Sequence, residues 1–399
     1  MLFINPNRRT LALLYLKIQK RKIQKKQKRK QRNIIIIKEM SSIEQTNYKH
    51  KIIVIPGDGI GPEVMAEAEK IFKALELPIQ RDYVDWGVAH FLSKGKVVPP
   101  DFISEVKQYD AILLGSLGDP SYIEDYITLD PLIKMRQALD QFLCLRPAKY
   151  FEGIPSPLKE CNIDVLIVRE NSEGEYSNVG GFFKMGSSDE LAVETAIHTR
   201  RGIERVIRCA FETAEKRRKH VTLCTKSNAM KYGMVLWDKV FELVAMEYPD
   251  ITADKYYMDS LCAAIVCHPS NFDVIVGSNL FCDILSDLTV AISGSLGMAP
   301  SANINQDRIY PSLFEPVHGS ALDIKGLGIC NPIATLRAAG MMIEFLGYTK
   351  QSILIEDAIH ESIKQKCTTR DIGGNKKTAE VGDFIANYIK LHLHDAKYQ

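Results

Sequence analysis

The segment FDVIVGSNLFCDILSDL, residues 272–288, carries the strand-then-helix pattern around which the predicted fold is built. Its first six residues form an apolar run typical of a short buried strand. Asn279 is placed to cap a helix that begins just after it. On that helix Asp283 and Asp287 are four residues apart, so both carboxylates occupy one face, one turn from each other. The segment therefore predicts a βα unit with two adjacent acids.

Asp283 and Asp287 have two interpretations. Like charges at this spacing repel each other, and a divalent cation such as Mg²⁺ or Mn²⁺ would neutralise them through hard oxygen ligands. The alternative is an acidic helix face in contact with solvent. The metal site is supported by the apolar flanking residues and by the absence of alternating Lys or Arg in this stretch. The residues alone leave both interpretations open.

Further βα units surround this segment. An apolar run at 51–55 leads into PGDGIGPEV, residues 56–64, which lacks the GxGxxG spacing and the P-loop lysine of nucleotide-binding motifs. A sharp strand-to-helix turn explains it at least as well as a phosphate site does. Strand-like runs near 78–85 and 110–115 continue the alternation. We therefore predict an α/β fold with a largely parallel sheet covered by helices.

The composition is that of a large globular chain. Of 399 residues, 46% are hydrophobic and 25% are charged, which is enough for two domains or one long discontinuous one. No apolar run approaches the ~20 residues that a membrane span needs. The nine cysteines are scattered without a CxxC or CxxH pair. This pattern indicates free thiols in a reducing compartment and excludes an obvious zinc site.

The charge is divided unevenly along the chain. Residues 1–39 hold thirteen Lys and Arg against one acid, or +12, so the remainder carries −10 within the total of +2. We predict a disordered, basic, low-complexity extension over residues 1–47. A translation start at Met40 or a cleaved presequence is preferred over a nucleic-acid-binding arm, because the acidic body supplies no basic face. The expected location is cytoplasmic, or the mitochondrial matrix if the extension is a presequence.

Three arginines that follow apolar runs suggest an anion pocket. Arg136 and Arg146 lie ten residues apart, and Arg169 ends the apolar run at 164–169. A guanidinium group binds a carboxylate through two parallel hydrogen bonds, so the three could hold the carboxylates of a substrate. The alternative is three separate structural ion pairs, which is the commoner role for any single arginine.

Other polar residues lie near the ends of predicted strands. Tyr176 could donate a proton or simply pack, and Lys226 is either ion-paired or a general base. Asp259 adds an acid in an apolar setting. The segment 315–323 is irregular and rich in small residues, which suggests close approach of the backbone to a ligand.

Together these segments resemble the isocitrate/isopropylmalate dehydrogenase family of metal-dependent, decarboxylating 2-hydroxyacid dehydrogenases. The matching pieces occur in order between residues 50 and 395 and comprise GDGIGPE at 57–63, Arg136 with Arg146, RENSEGEY at 169–176, TKSN at 225–228, and the segments 279–287 and 315–331. Within the family, the tartrate/D-malate dehydrogenase branch is the most similar, as indicated by EYSNVGG at 175–181, HTRRG at 198–202 and PSLFEPVHGS at 311–320. Asp130 and Leu132 replace a Ser and an Asn of isocitrate enzymes, which weakens the case for a tricarboxylate substrate.

The resemblance implies a two-domain α/β fold that is not a Rossmann fold. A large, discontinuous cofactor-binding domain would span residues 48–141 and 294–399, and a small substrate-binding and dimerisation domain would span residues 142–293. Family members are homodimers with shared active sites. By resemblance, the partner subunit would contribute Lys226 and Asp259 to each site.

The resemblance also implies the activity. It is oxidation and decarboxylation of a 2-hydroxy dicarboxylic acid of the D-malate or tartrate type, with NAD and Mg²⁺ or Mn²⁺ as cofactors. The alternatives, in order, are 3-isopropylmalate dehydrogenase, NAD-dependent isocitrate dehydrogenase and a catalytically silent regulatory relative. Neither membrane nor nucleic-acid binding is expected.

The implied site residues fall into four groups, one for each role. They are Tyr176 and Lys226 for proton transfer, Arg136, Arg146, Arg169 and Asp259 for the substrate, Asp259, Asp283 and Asp287 for the metal, and His318, Gly319, Ala321, Asp323 and Asn331 for NAD. Asp323 would accept hydrogen bonds from the ribose hydroxyls and disfavour a 2′-phosphate. Cys282 departs from the family's usual Gly, and it would strain the backbone if that position needed a positive φ.

Overall fold

The structure is a computed structural model, and it describes residues 48–159 and 161–398. The predicted basic extension, residues 1–47, lies outside the described residues. No helix within the described ranges is both long enough and apolar enough to cross a bilayer.

Within the described residues, ten strands form one mixed sheet and two form a separate hairpin. The order in the large sheet is β2-β1-β3-β12-β11-β4-β5-β10-β8-β9, and β6 pairs with β7 in the hairpin. The strands are β1 (His50–Gly57), β2 (Ile79–Tyr83), β3 (Ala111–Ser116), β4 (Leu143–Lys149), β5 (Asp164–Glu170), β6 (Gly174–Phe183), β7 (Leu191–Ile197), β8 (His220–Thr225), β9 (Thr252–Tyr257), β10 (Val274–Gly277), β11 (Pro300–Ile304) and β12 (Ser312–Pro316).

The predicted α/β class with a largely parallel sheet is confirmed. Six of the strand pairs in the large sheet are parallel. The three antiparallel pairs lie together at the centre, where β11 pairs with β12 and β4, and β4 pairs with β5. The helices are α1 (Gly61–Leu75), α2 (Val88–Lys94), α3 (Phe102–Val106), α4 (Asp125–Ala138), α5 (Arg200–Glu215), α6 (Gly233–Ala245), α7 (Met258–Cys267), α8 (Asn279–Ser293), α9 (Ile333–Phe345), α10 (Thr349–Lys364) and α11 (Thr378–His392).

Strand β1 shows why the strand runs are apolar throughout. Ile52 and Val54 belong to one hydrophobic cluster, whereas Ile53 and Ile55 belong to another. All four side chains are fully buried. Helices cover both faces of the sheet here. Side chains that point to either face therefore pack against apolar partners, and the strand has no polar face.

The segment 272–288 forms the predicted strand and helix, β10 and α8. The predicted cap was wrong by one residue, because Ser278 is the N-cap and Asn279 already belongs to the helix. In the first turn of α8, the Glu175 carboxylate accepts a hydrogen bond from the backbone N of Leu280 at 3.1 Å and another from the Ser278 hydroxyl at 3.0 Å. A carboxylate at this helix end also interacts favourably with the helix dipole.

Cys282 causes no backbone strain. It lies in the first half of α8 and is absent from the described residues with positive φ. Its side chain is fully buried, and burial raises the pKa of its thiol well above the usual value. Cys282 therefore behaves as a small, neutral, apolar residue.

The junction between β11 and β4 coincides with the predicted domain boundary. Five strands of the large sheet lie on each side of it, and the two strands are joined by the pairs Ala302↔Leu145, Asn303↔Cys144 and Ile304↔Leu143. The division into two domains stays a prediction. Residues from both sides of the junction, among them Arg146 on β4 and Glu315 on β12, line one cavity.

Candidate active site

A cavity of about 380 Å³ brings several of the predicted site residues together. Seven of its polar lining residues come from six different elements and the loop after β12. They are Arg136 on α4, Arg146 on β4, Arg169 on β5, Tyr176 on β6, Asp283 on α8, Glu315 on β12, and His318. Six segments distant in sequence, the last running from β12 into the loop after it, thus present their side chains to one space. The roles of these residues stay predictions.

Asp283 is at the centre of this group of side chains. Its Oδ1 accepts hydrogen bonds from Arg146 Nη1, at 2.9 Å, and from Arg169 Nη1. Its Oδ2 accepts a hydrogen bond from the Tyr176 hydroxyl at 3.0 Å. A carboxylate therefore already occupies the position between two guanidinium groups and a phenol, which is the arrangement expected to bind a substrate carboxylate.

These contacts shift the ionisation of both acids in the group. Burial alone would raise the pKa of Asp283, but the charges of Arg169 and Arg146 lower it below the usual value. Burial, followed by the negative charge of Asp283, raises the pKa of Tyr176 to about 12. Tyr176 is therefore a weaker acid than the unperturbed phenol, with a pKa of ~10, that is expected by default. It keeps its proton at neutral pH.

Arg169 is held by Asn279, which the sequence predicted to be a helix cap. The Asn279 side-chain oxygen accepts from Arg169 Nε at 2.9 Å and from Nη2 at 2.6 Å. The Asn279 amide donates to the Glu173 carbonyl at 3.0 Å. With only 1% of its surface exposed, Arg169 needs such partners, since an unpaired buried charge is costly. Asn279 thus orients Arg169 instead of capping α8.

Arg136 is held by a buried polar chain that crosses the sheet. Glu315 Oε1 lies 3.6 Å from Arg136 Nη2 and accepts from Asn303 Nδ2 at 2.8 Å. Asn303 Oδ1 in turn accepts from Asn171 Nδ2 at 2.8 Å. Asn303 and Glu315 lie on neighbouring strands, β11 and β12, and the chain links them to the residue that follows β5. Sequence reasoning missed this role of Glu315, Asn303 and Asn171, because no local pattern signals such pairings.

We expect Asn303→Leu to lower the free energy of unfolding by about 2–3 kcal/mol, because it leaves the buried carboxylate of Glu315 without its amide donor. Leucine has a similar volume, so the change isolates the lost hydrogen bonds. Urea denaturation measures the effect. The exposed Asn271→Leu serves as the control and should change stability little. Equal unfolding free energies for Asn303→Leu and the unmutated protein would contradict this account.

The predicted metal ligands do not converge within one chain. Asp287 lies one turn beyond Asp283, with Oδ1 3.8 Å from Arg146 Nη1. Asp259 forms an ion pair with Lys226 at 2.7 Å, and neither residue lines the cavity. The described ranges contain no group of three or more His, Cys, Asp or Glu that could hold a metal ion. Of the proposed ligands, Asp283 lines the cavity, and Asp287 follows it one turn along α8.

The predicted cofactor residues lie on the loop after β12 and at the start of α9. His318 and Gly319 line the cavity. Ala321 adopts a left-handed conformation with φ 41°, and Asp323 is exposed in the short 3₁₀ helix Leu322–Ile324. Asn331 is buried, and its side chain donates to Asp371 Oδ2 at 2.9 Å and accepts from Ile333 N at 3.1 Å. Its side chain is thus already engaged within the protein.

Comparison with known proteins assigns the chain to a family. The sequence profile of the isocitrate/isopropylmalate dehydrogenase family matches residues 51–385. The chain belongs to the isocitrate/isopropylmalate dehydrogenase family. The resemblance seen in the sequence is therefore confirmed.

Two curated relatives show which members of the isocitrate/isopropylmalate dehydrogenase family are similar. Tartrate dehydrogenase/decarboxylase of Pseudomonas putida is 44% identical over 358 residues, covering 86% of this chain and 98% of that protein. The decarboxylating D-malate dehydrogenase of Escherichia coli is 43% identical over 354 residues, covering 85% of this chain and 98% of that protein. Both names support the predicted branch of the family, whose members are decarboxylating dehydrogenases.

A solved structure supports the same assignment. The crystal structure of isocitrate dehydrogenase from Methylococcus capsulatus matches with a TM-score of 0.79 and 36% sequence identity. The match covers 86% of this chain and 99% of that one. The α/β fold with its large mixed sheet is therefore the fold of this family.

Proposed function

We propose that the protein catalyses the NAD-dependent and divalent-metal-dependent oxidation and decarboxylation of a 2-hydroxy dicarboxylic acid of the D-malate or tartrate type. The main support is the convergence of Arg136, Arg146 and Arg169 with Asp283 and Tyr176 on one cavity. Three guanidinium groups suit a substrate with two carboxylates. The names of the similar relatives point to the same substrates.

One observation keeps 3-isopropylmalate as the second candidate substrate. Leu129, Leu132 and Ile133, all on α4, line the cavity beside Arg136. An apolar wall of this kind would accept a branched alkyl group more readily than a third carboxylate. It also weighs against isocitrate, in agreement with the replacement of the polar residues noted in the sequence.

The residues present fit a divalent cation. Asp283 and Asp287 offer oxygen ligands on adjacent turns of α8. Burial and the charge of Asp283 raise the pKa of Asp287. A cation between the two carboxylates would relieve this repulsion. We propose that Asp259 of the partner subunit completes the site, as the resemblance implies.

The residues present also fit a dinucleotide. Nε2 of His318 is buried and has no hydrogen-bond partner within the described part of the chain, and the residue borders the cavity. Gly319 is exposed, and a Cβ built on it would meet no atom within 4 Å, so the backbone there is open to a ligand. Asp323 is exposed and could accept hydrogen bonds from ribose hydroxyls.

The protein's own side chains divide the proposed reaction between them. The three arginines hold the substrate carboxylates, and Lys226 of the partner subunit takes the proton of the C2 hydroxyl as hydride leaves C2. When bound, NAD⁺ would accept that hydride, and the cation would lower the hydroxyl pKa and stabilise the charge that develops on decarboxylation. Tyr176, protonated at neutral pH, then gives its proton to the enol carbon.

We propose that the protein acts as a homodimer with shared active sites. The hairpin of β6 and β7 supports this. Every residue of β7 is exposed, and apolar side chains that include Phe182, Phe183 and Val193 are more than half exposed. An apolar patch of this kind is typical of a protein–protein contact. Tyr176 lies on β6, so the same element would connect the contact to the site.

The test is NADH formation by the purified protein with a panel of D-malate, tartrate, 3-isopropylmalate and isocitrate in the presence of Mn²⁺. We expect turnover with D-malate or tartrate, and preference for NAD⁺ over NADP⁺ because the Asp323 carboxylate would repel a 2′-phosphate. Measurement of released CO₂ separates decarboxylation from simple oxidation. Turnover of none of the four acids would refute the proposed function, and equal efficiency with NADP⁺ would refute the role of Asp323.

A further inference from the structure

We propose that Glu63 is a positioning residue that fixes the loop 319–330 and thereby sets the affinity for the dinucleotide. Glu63 ends the GDGIGPE motif, which resembles a phosphate cradle but takes no part in the cavity described above. The inference rests on the proposed function, because the loop carries Ala321 and Asp323 and adjoins Asn331, three of the residues proposed to bind NAD.

The Glu63 carboxylate binds the backbone of this loop at two points. Glu63 lies in the first turn of α1. Its Oε1 accepts from Gly326 N, and its Oε2 accepts from Gly328 N at 3.0 Å. Both bonds join residues more than 260 positions apart in the sequence. A charged acceptor makes each of these bonds stronger than a bond between neutral groups.

Most other contacts near these two points are long or internal to the loop: Lys325 Nζ lies 3.9 Å from Asp119 Oδ2, and Leu327 N donates to Ile324 O at 3.2 Å. Residues 325–327 are exposed. Gly326 and Gly328 have φ of 78° and 64°, a conformation that glycine adopts at little cost. A Cβ on either residue would meet no atom within 4 Å, so their surroundings are open. Gly328 O accepts from Thr378 N at 2.9 Å. The carboxylate of Glu63 is therefore a main restraint on this part of the loop.

The turn before Glu63 holds the beginning of the same loop. Ile60 N donates to Ser320 O at 2.9 Å. A Cβ on Gly59 would lie 1.9 Å from that carbonyl oxygen, so only glycine permits the close approach. The motif therefore directs its backbone at the protein's own loop and not at a phosphate. Together the turn and Glu63 hold the loop on both sides of Asp323.

This arrangement explains how a strained loop stays ordered. Ala321 keeps φ at 41°, which is unfavourable for a residue with a Cβ and persists only where neighbouring contacts enforce it. If the contacts of Glu63 are lost, the loop gains conformations that cannot bind the ribose. Binding must then order the loop again, which lowers affinity without altering the reacting groups.

The experiment compares Glu63→Gln with Glu69→Gln. Glu69 lies on the same helix but pairs with Arg81 and Tyr83, away from the loop. A glutamine at 63 can accept only one of the two N–H groups and turns its own amide donor toward the other. We expect Glu63→Gln to raise the Kd for NADH, measured by fluorescence titration, about tenfold, and to raise KM for NAD⁺ similarly. At saturating NAD⁺, kcat and KM for the hydroxy acid should stay near the unmutated values.

Each outcome of the titration is decisive. A wild-type Kd in Glu63→Gln, or equal losses in Glu63→Gln and Glu69→Gln, would overturn the inference. Should Glu63→Gln not fold, Glu63→Ala provides the same test without an added amide donor, and a wild-type Kd in that variant would also overturn it. If the unmutated protein binds neither NADH nor NADPH, the proposed function itself is wrong and the inference is wrong with it.

Discussion

Asp283→Asn is expected to lose nearly all turnover, by a factor on the order of a thousand or more, together with its dependence on a divalent cation. Asparagine keeps the shape of the side chain but removes the negative charge that a cation needs. A bound cation typically supplies several kcal/mol of transition-state stabilisation, and each ~1.4 kcal/mol corresponds to a factor of ten in rate. Steady-state assays with a Mn²⁺ titration, and then with a chelator, measure both effects.

The change also removes the anion that balances two buried cations, so folding must be checked in the same samples. Arg146 and Arg169 both donate to Asp283. Circular dichroism and thermal unfolding establish that the variant is folded. The exposed Asp250→Asn provides a matched control that should keep full activity. Wild-type turnover of Asp283→Asn in the presence of the chelator would show that the metal assignment is wrong.

Lys226→Met is expected to block the first step of the reaction, hydride transfer, and Tyr176→Phe is expected to slow the last step, protonation of the enol. Without Lys226 the hydroxyl proton has no acceptor, so hydride transfer fails and no pre-steady-state burst of NADH appears. Without Tyr176 oxidation proceeds, and the slow step becomes protonation of the enol, with a turnover loss of about 10²–10⁴-fold. Burial and the nearby Asp283 carboxylate raise the pKa of Tyr176 to about 12, so the phenol carries its proton when the enol forms, but it is a weaker acid than usual. Stopped-flow absorbance distinguishes the two patterns.

Two outcomes would contradict these assignments of Lys226 and Tyr176. A burst in Lys226→Met and none in Tyr176→Phe would exchange the two roles, and wild-type rates in both variants would remove these residues from the mechanism. In the structure Lys226 pairs with Asp259 of the same chain, outside the cavity. A mixed dimer of one Lys226→Met subunit and one Tyr176→Phe subunit would test whether Lys226 acts across the subunit contact. If it does, one of the two active sites keeps both residues and is active, whereas the other site lacks both.

Local patterns were sufficient to predict much of the fold. The apolar run at 272–277 and the helical spacing of Asp283 and Asp287 gave β10 and α8 correctly. The alternation of strands and helices predicted the α/β class. These features depend on interactions between residues close in sequence, and the spacing of the apolar residues indicates which face of each helix or strand is buried.

The contacts that assemble the site could not be predicted in this way. The position of Asn279 predicted a helix cap. In the structure its side-chain oxygen instead accepts a hydrogen bond from the buried guanidinium of Arg169, which is 110 residues away in the sequence. Glu315 likewise forms an ion pair with Arg136, and the two residues are close only because of the order of the strands in the sheet. Such pairings depend on the tertiary arrangement, and a single sequence holds no local trace of them. Family resemblance supplied the site residues for which spacing alone gave no assignment.

The order of strands in the large sheet also governs how the chain can fold during synthesis. Strand β3 ends at Ser116, but its neighbour on one side is β12, Ser312–Pro316. At ~5–20 residues per second the ribosome needs roughly 10–40 s to make the intervening chain. For that interval the apolar β3 would present an unpaired edge, which invites pairing with other chains. Nascent chains truncated before residue 312 should therefore depend on chaperones far more than the finished protein does.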